Sequence, residues 1–293
     1  FGDNYVDPGS EESPWIPGGT LNQNSFGNNI ISSAFYDAEN QEVYMFPFGN
    51  NQGSHLSVRA LYLIGYDDLS TLNIYGTEYN DLIAGHESNH SSSLIINSFA
   101  GLDVIDISNH TGSDFVNAGS GNDIVHVNNN YSSDESIDGG EGVDWLIIRA
   151  FSENVDYTIN SSTTSNFENV RTSFGDDSII GDNGANRLVG WGGNDTIYGG
   201  DGNDHLYGYV DQNPQGVSDG NDNLYGGNGD DSLYGGAGDD ILDGGPGIDI
   251  LSGDGGYTSF EGGSYDRGGE RGSDTFVIRV GSGGPLIELA DVI

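Results

Sequence analysis

"GGNGDDSLYGGAGDDILDGGPGIDILS", residues 226 to 252, is three blocks of nine residues laid end to end. Glycine holds the first, second and fourth places of every block, an aspartate holds the sixth (Asp231, Asp240, Asp249) and a leucine holds the eighth (Leu233, Leu242, Leu251). Self-similarity at a short fixed period marks a chain that stacks equivalent units, each too small to close a core alone.

The frame extends upstream to Thr172, through "TSFGDDSII", "GDNGANRLV", "GWGGNDTIY" and "GGDGNDHLY". Nine residues of different character, "GYVDQNPQG", then intervene, and the frame resumes in phase with "VSDGNDNLY". Sixth places read Asp177, Asn186, Asp195, Asp204, Asn213, Asp222, Asp231, Asp240 and Asp249. Two residues later stand Ile179, Leu188, Ile197, Leu206, Leu224, Leu233, Leu242 and Leu251, with Gln215 of the intervening segment as the exception.

These blocks resemble the G-G-x-G-x-D-x-U-x nonapeptides of the RTX (repeats-in-toxin) calcium-binding proteins, the hemolysin-type repeats. The resemblance is close over 172 to 252 and fainter in "GTEYNDLIA", "AGSGNDIVH", "GGEGVDWLI" and "GSDTFVI". It implies an all-β fold, a parallel β-roll or calcium-binding β-solenoid, with several bound calcium ions, secretion out of the cytoplasm and a bacterial type I export route.

The block chemistry agrees with that expectation. Glycine accepts positive φ and lets carbonyls turn toward a common point, and the sixth residue adds a carboxylate. Calcium takes six to eight hard oxygens, which carbonyls and carboxylates supply. The expected metal ligands are Asp177, Asp195, Asp204, Asp222, Asp231, Asp240 and Asp249, the turn glycines Gly193, Gly202, Gly220, Gly229 and Gly238, and, in the fainter repeats, Asp123 and Asp144. If nine residues make half a coil, acids eighteen apart share a side. That pairs Asp177 with Asp195, Asp204 with Asp222, Asp222 with Asp240, and Asp231 with Asp249. It also places Tyr198 and Tyr234 on one outer face, and Tyr207 and Tyr225 on the other.

Composition supports the same reading. The chain has 293 residues, 46 acidic and 7 basic, and a formal charge of −39. Such a polyanion repels nucleic-acid phosphates and anionic membrane surfaces and attracts cations. With 49 glycines and 34% hydrophobic residues, its ordering entropy needs an outside source of free energy, which a bound metal supplies. No cysteine is present, and no apolar run approaches the ~20 residues of a membrane span. The chain begins at Phe1 and ends on "LIELADVI", the pattern expected of a processed or trimmed chain.

Four regions are expected. Residues 1–75, with Pro8, Pro14, Trp15 and Pro17, form a β-rich N-terminal cap or interaction region, because a solenoid needs an atypical first unit. Residues 76–170 carry degenerate coils with loops, where Asp81, Asp103, Asp114, Asp123 and Asp144 each precede an apolar residue by two. Residues 171–252 form the regular roll, and 253–293 hold an insertion, a last repeat and the C-terminal segment.

One stretch suggests different chemistry. "HESNH", residues 86 to 90, has the H-E-x-x-H spacing of a zinc protease, in which His86 and His90 share one helical face and Glu87 acts as base. It lies between "NDLIAG" and "SSSLII", in a strand–turn–strand setting without a helical apolar face. It therefore reads as a coincidence in a turn, and no G-x-S-x-G elbow accompanies it.

The expectation is a non-enzymatic structural or adhesive protein of the cell surface or extracellular matrix. It folds on extracellular calcium, with self-association into a filament or layer and contact with cell-surface glycans as further partners, and no membrane insertion. The alternative is the non-catalytic or carrier portion of a secreted RTX enzyme, a protease, lipase or polysaccharide-active protein.

Overall fold

A computed structural model of the protein describes residues 34–37, 42–45, 59–63, 71–85, 93–110, 112–129, 135–149, 154–161, 163–209, 220–254, 275–277 and 286–287. Among these there is no helix, and the strands build two facing walls of a solenoid. One wall is an eleven-stranded sheet running from Arg59–Leu63 to Leu286–Ile287. The other comprises a seven-stranded sheet ending at Thr164–Ser165 and a six-stranded sheet beginning at Asp156–Thr158. All pairings are parallel except Ala34–Asp37 with Glu42–Met45. The fold is the expected parallel β-roll.

The nonapeptide explains the walls. The three residues after each acid are extended, as in Ser178–Ile180, Arg187–Val189 and His205–Tyr207, and the middle one points inward. In the eleven-stranded wall Ile105, Val125, Leu146, Val170, Leu188, Leu206, Leu233 and Leu251 stack in register, each fully buried. Ile179, Ile197, Leu224 and Leu242 face them from the six-stranded wall and are equally buried. Burial of each such side chain contributes roughly 1.5–3 kcal/mol. In the regular repeats the core is thus a narrow column with one residue per strand, whereas upstream coils add a second, Ile107, Val127 or Ile148.

The break in the second wall has a local cause. Between Asp156–Thr158 and Thr164–Ser165 the chain turns at Asn160, which holds a left-handed φ of 52°. This turn is closed by the Phe167 N–H donating to Asn160 Oδ1 (3.1 Å) and by a hydroxyl pair, Tyr157 and Thr164, at 2.7 Å. Tyr157 and Phe167 fill the column where this extra strand enters.

Register corrects one expectation. Leu188 to Ile197 to Leu206 advances nine residues per half-coil, but the next half-coil, Leu206 to Leu224, takes eighteen. Hence Asp204 lies beside Asp231, and Asp222 lies beside Asp195, so the expected Asp204–Asp222 pair stands in opposite walls. The tyrosines re-pair in the same way: Tyr198 stacks on Tyr225 (4.8 Å between centroids) and Tyr207 on Tyr234 (5.0 Å). Tyr207, expected to face solvent, is buried, whereas Tyr198 is 43% exposed. The physical reason is in "GYVDQNPQG": a strand centred on Gln215 would bury an amide in the column and lose a ladder N–H at Pro214. Preserved phase in sequence therefore does not mean a preserved half-coil.

Deleting residues 210–218 joins "GY" to "DGNDNLY" and recreates a nine-residue half-coil. Because loop closure changes by only ~0.6 kcal/mol per twofold change in length, this variant is expected to fold with a calcium midpoint within about twofold of the parent. Failure to fold at saturating calcium would show that the segment belongs to the solenoid itself.

Candidate metal-binding turns

Each turn brings the sixth-place acid to the start of a strand, inside the corner between the walls. There Oδ1 accepts the backbone N–H of the residue one coil earlier. Along the eleven-stranded wall Asp81 N–H donates to Asp103, Asp103 to Asp123 and Asp123 to Asp144, each at 2.7 Å. Further on, Asp204 N–H donates to Asp231 at 2.8 Å and Asp231 to Asp249 at 3.1 Å. The opposite corner repeats the arrangement from Asp177 to Asp195 (2.9 Å), Asp195 to Asp222 (2.8 Å) and Asp222 to Asp240 (2.9 Å). The expected pairs Asp177–Asp195, Asp222–Asp240 and Asp231–Asp249 are therefore neighbours.

All these carboxylates are at most 3% exposed. One N–H per carboxylate leaves the second oxygen to be accounted for. Oδ2 of Asp123, Asp144, Asp204 and Asp231 is buried and accepts no hydrogen bond. A buried anionic oxygen in this state is costly unless a cation meets it. Burial accordingly raises the carboxyl pKa of Asp103 to about 8, of Asp123 and Asp204 to about 7, and of Asp144, Asp177 and Asp231 to about 6.

The glycines keep that space open. A Cβ on Gly226 would collide with Asp231 Oδ2 and would lie 2.6 Å from the carbonyl oxygen of Gly244, one coil on. Gly229 holds φ 142°, and a Cβ there would collide with the Gly202 carbonyl. Gly193, Gly202 and Gly238 also take positive φ, whereas Gly220 is not among the positive-φ residues. Carboxylate and carbonyl oxygens thus converge where the repeat has glycine. Among the described residues no three His, Asp or Glu side chains cluster as a metal site would, so backbone oxygens must complete any coordination shell.

Two features were missed in the sequence, and a third residue, Asn186, stood in the sixth-place series without a role assigned to it. Glu168 stands in the acid ladder, its Oε2 accepting the Asp144 N–H at 2.8 Å; extending the nine-residue frame one block above Asp177 would have found it. Asn186 replaces a charge by an amide, with its Oδ1 accepting the Asp182 N–H at 2.9 Å. A second, exposed ladder uses the fifth place. Asn194 N–H donates to Asp176, Asn221 to Asn194 and Asp239 to Asn221, each at 2.9 Å. The recurrence of Asn or Asp just before the sixth residue was its signal, since a short carbonyl-bearing side chain can cap a turn N–H. His86, Glu87 and His90 lie outside the described residues.

Two stacked ladders of buried carboxylates over glycine turns define the class: a cation-stabilised β-roll. Four stretches, residues 110–129, 164–196, 171–206 and 217–256, match the RTX calcium-binding nonapeptide repeat. The chain therefore carries RTX repeats, calcium is the cation that such repeats bind, and the hard-oxygen donor set here fits it. Comparison with curated proteins gives no match.

Proposed function

We propose that the protein is a secreted structural or adhesive β-roll that folds when it meets extracellular calcium. The buried Oδ2 atoms of Asp123, Asp144, Asp204 and Asp231, which accept no hydrogen bond, carry this reading, because a buried anionic oxygen calls for a cation. The ions are held between successive turns on one corner by Asp177, Asp195, Asp222 and Asp240, and on the other by Asp123, Asp144, Asp204, Asp231 and Asp249. Carbonyls of the turn glycines complete the shells. Sites of this type in extracellular modules bind at roughly 10⁻⁴ to 10⁻³ M, so the chain stays open where calcium is scarce. On the six-stranded wall Ile180 and Tyr198, each 43% exposed, lie in one row with Tyr225 and supply an adhesive face.

Asp222 touches both Asp195 and Asp240 in the regular repeats. Asp222→Asn is therefore expected to raise the calcium midpoint several-fold. Asp81→Asn, where Thr77 already donates to both carboxylate oxygens (3.0 and 3.1 Å), should shift it less. Calorimetric calcium titration of the two variants compares them, and equal shifts would refute the assignment of ions to the regular ladder.

A further inference from the structure

The outer face of the eleven-stranded wall carries a group of residues that calcium binding does not use. In a chain with 46 acidic and 7 basic residues, Arg149, Arg171 and Arg187 stand on three successive strands of this wall, Trp145–Arg149, Asn169–Arg171 and Arg187–Val189. Arg149 Nη1 lies 3.6 Å from Asp106 Oδ2, and its Nε donates to Nδ1 of His126 at 3.2 Å. That ring nitrogen is an acceptor, so the imidazole is neutral. Its burial, with Arg149 and Arg171 nearby, holds its pKa well below the usual value.

Arg171 lies over the ring of Trp191, 4.1 Å from its centroid, and Phe174 meets that ring edge-on at 6.3 Å. Arg171 Nε and Trp191 Nε1 are both buried donors without an acceptor. Burial and the neighbouring Arg149 push the Arg171 pKa down to about 9, which still leaves it charged at neutral pH. Trp191 also holds φ 88°, in the second place of its block, where Gly227, Gly236 and Gly245 take positive φ. A bulky side chain in that region is strained, and such strain is retained most often at functional sites. Two buried donors lacking an acceptor, one of them on a cation beside another cation, call for a partner with negatively charged oxygens.

We propose that Arg171 and Trp191, with Arg149 beside them, bind an oxyanion, the carboxylate or sulfate group of an acidic saccharide. Along the same wall Arg187 lies 4.9 Å from the ring centroid of Tyr207, which stacks on Tyr234, and 5.6 Å from that of Trp145. Trp145 and Tyr234, only partly buried against Tyr207, offer apolar surface to a sugar next to the charged group. The oxyanion chemistry follows from the donors alone, whereas its saccharide source rests on the extracellular reading above.

The test uses the full calcium-loaded chain, labelled with nitrogen-15 and titrated separately with sodium sulfate, galacturonate and trigalacturonate. Of the three tryptophan indole resonances, that of Trp191 is expected to move, most strongly with the trisaccharide. Arg171→Met should weaken binding about tenfold, the worth of one charge-assisted hydrogen bond. Trp191→Gly restores the residue type that this backbone favours, so it should keep the parent calcium midpoint while losing roughly fivefold in galacturonate affinity by calorimetry. A Trp191 resonance unmoved by all three probes, or parent-like binding in Trp191→Gly, would overturn the site. Response to sulfate alone would support the oxyanion site and overturn its saccharide source. Circular dichroism of the same samples reports calcium folding separately.

Discussion

Chelation of calcium is expected to abolish most of the β-sheet circular dichroism of this chain at neutral pH, and millimolar calcium to restore it. Adjacent coils lie about 4.8 Å apart. At that spacing two bare carboxylates repel by about 1 kcal/mol in water, and by several-fold more at an effective dielectric near 20. The ladder places Asp103, Asp123 and Asp144 in succession at one corner, and Asp177, Asp195, Asp222 and Asp240 at the other, all buried. Without a cation this repulsion adds to a net charge of −39, against a core that in the regular repeats is only one side chain wide per wall. Metal binding converts it into coordination, and its binding free energy becomes folding free energy. A full β spectrum in EGTA at pH 7.5 would defeat the proposal. Sedimentation across the same calcium series reads self-association, which should appear only in the calcium-loaded form.

Acidification is expected to act in opposite directions on the metal-free and calcium-loaded chains. Burial holds the folded carboxyls above their unfolded value near 3.9, with Asp103 at about 8, Asp123 and Asp204 at about 7, and Asp144, Asp177 and Asp231 at about 6. Groups whose folded pKa is raised favour folding fully below the unfolded value and lose that contribution as pH rises through the folded one. The metal-free roll should therefore gain structure from pH 8 toward pH 4. Calcium needs the ionised form, so its binding releases protons, and its affinity should fall more than tenfold between pH 8 and pH 5. Circular dichroism in EGTA and calcium titrations at both pH values check the two signs. Metal-free structure that decreases on acidification would contradict the buried-carboxylate account.

The parts of this fold legible in the sequence are those set by one block. Glycine at the first place, aspartate at the sixth and leucine or isoleucine at the eighth are local requirements. They concern a turn that tolerates no Cβ beside Asp231, a buried acid, and an inward side chain in the column. Each is met within nine residues, so each recurs in the text of the chain. Glu168 escaped because the ladder position depends on where the backbone passes, and the side chain there need not be aspartate. The Arg171–Trp191 pair escaped for another reason: its members are twenty residues apart and meet only because two strands of one wall carry them to the same corner.

By itself the sequence determined the nine-residue period and the places of glycine, acid and apolar residue within it, since each is readable without contacts; the parallel roll and calcium entered through the resemblance of those blocks to RTX repeats. Only the tertiary structure decided which acids are neighbours. "GYVDQNPQG" keeps the frame in sequence, yet the half-coil that contains it spans eighteen residues, which puts Asp204 beside Asp231 and Asp222 beside Asp195. A nine-residue count cannot reveal this, because a loop and a half-coil of equal length leave the same phase. The choice between them is made by whether Gln215 and Pro214 could occupy a strand in the buried column, and their unmet hydrogen bonds forbid it.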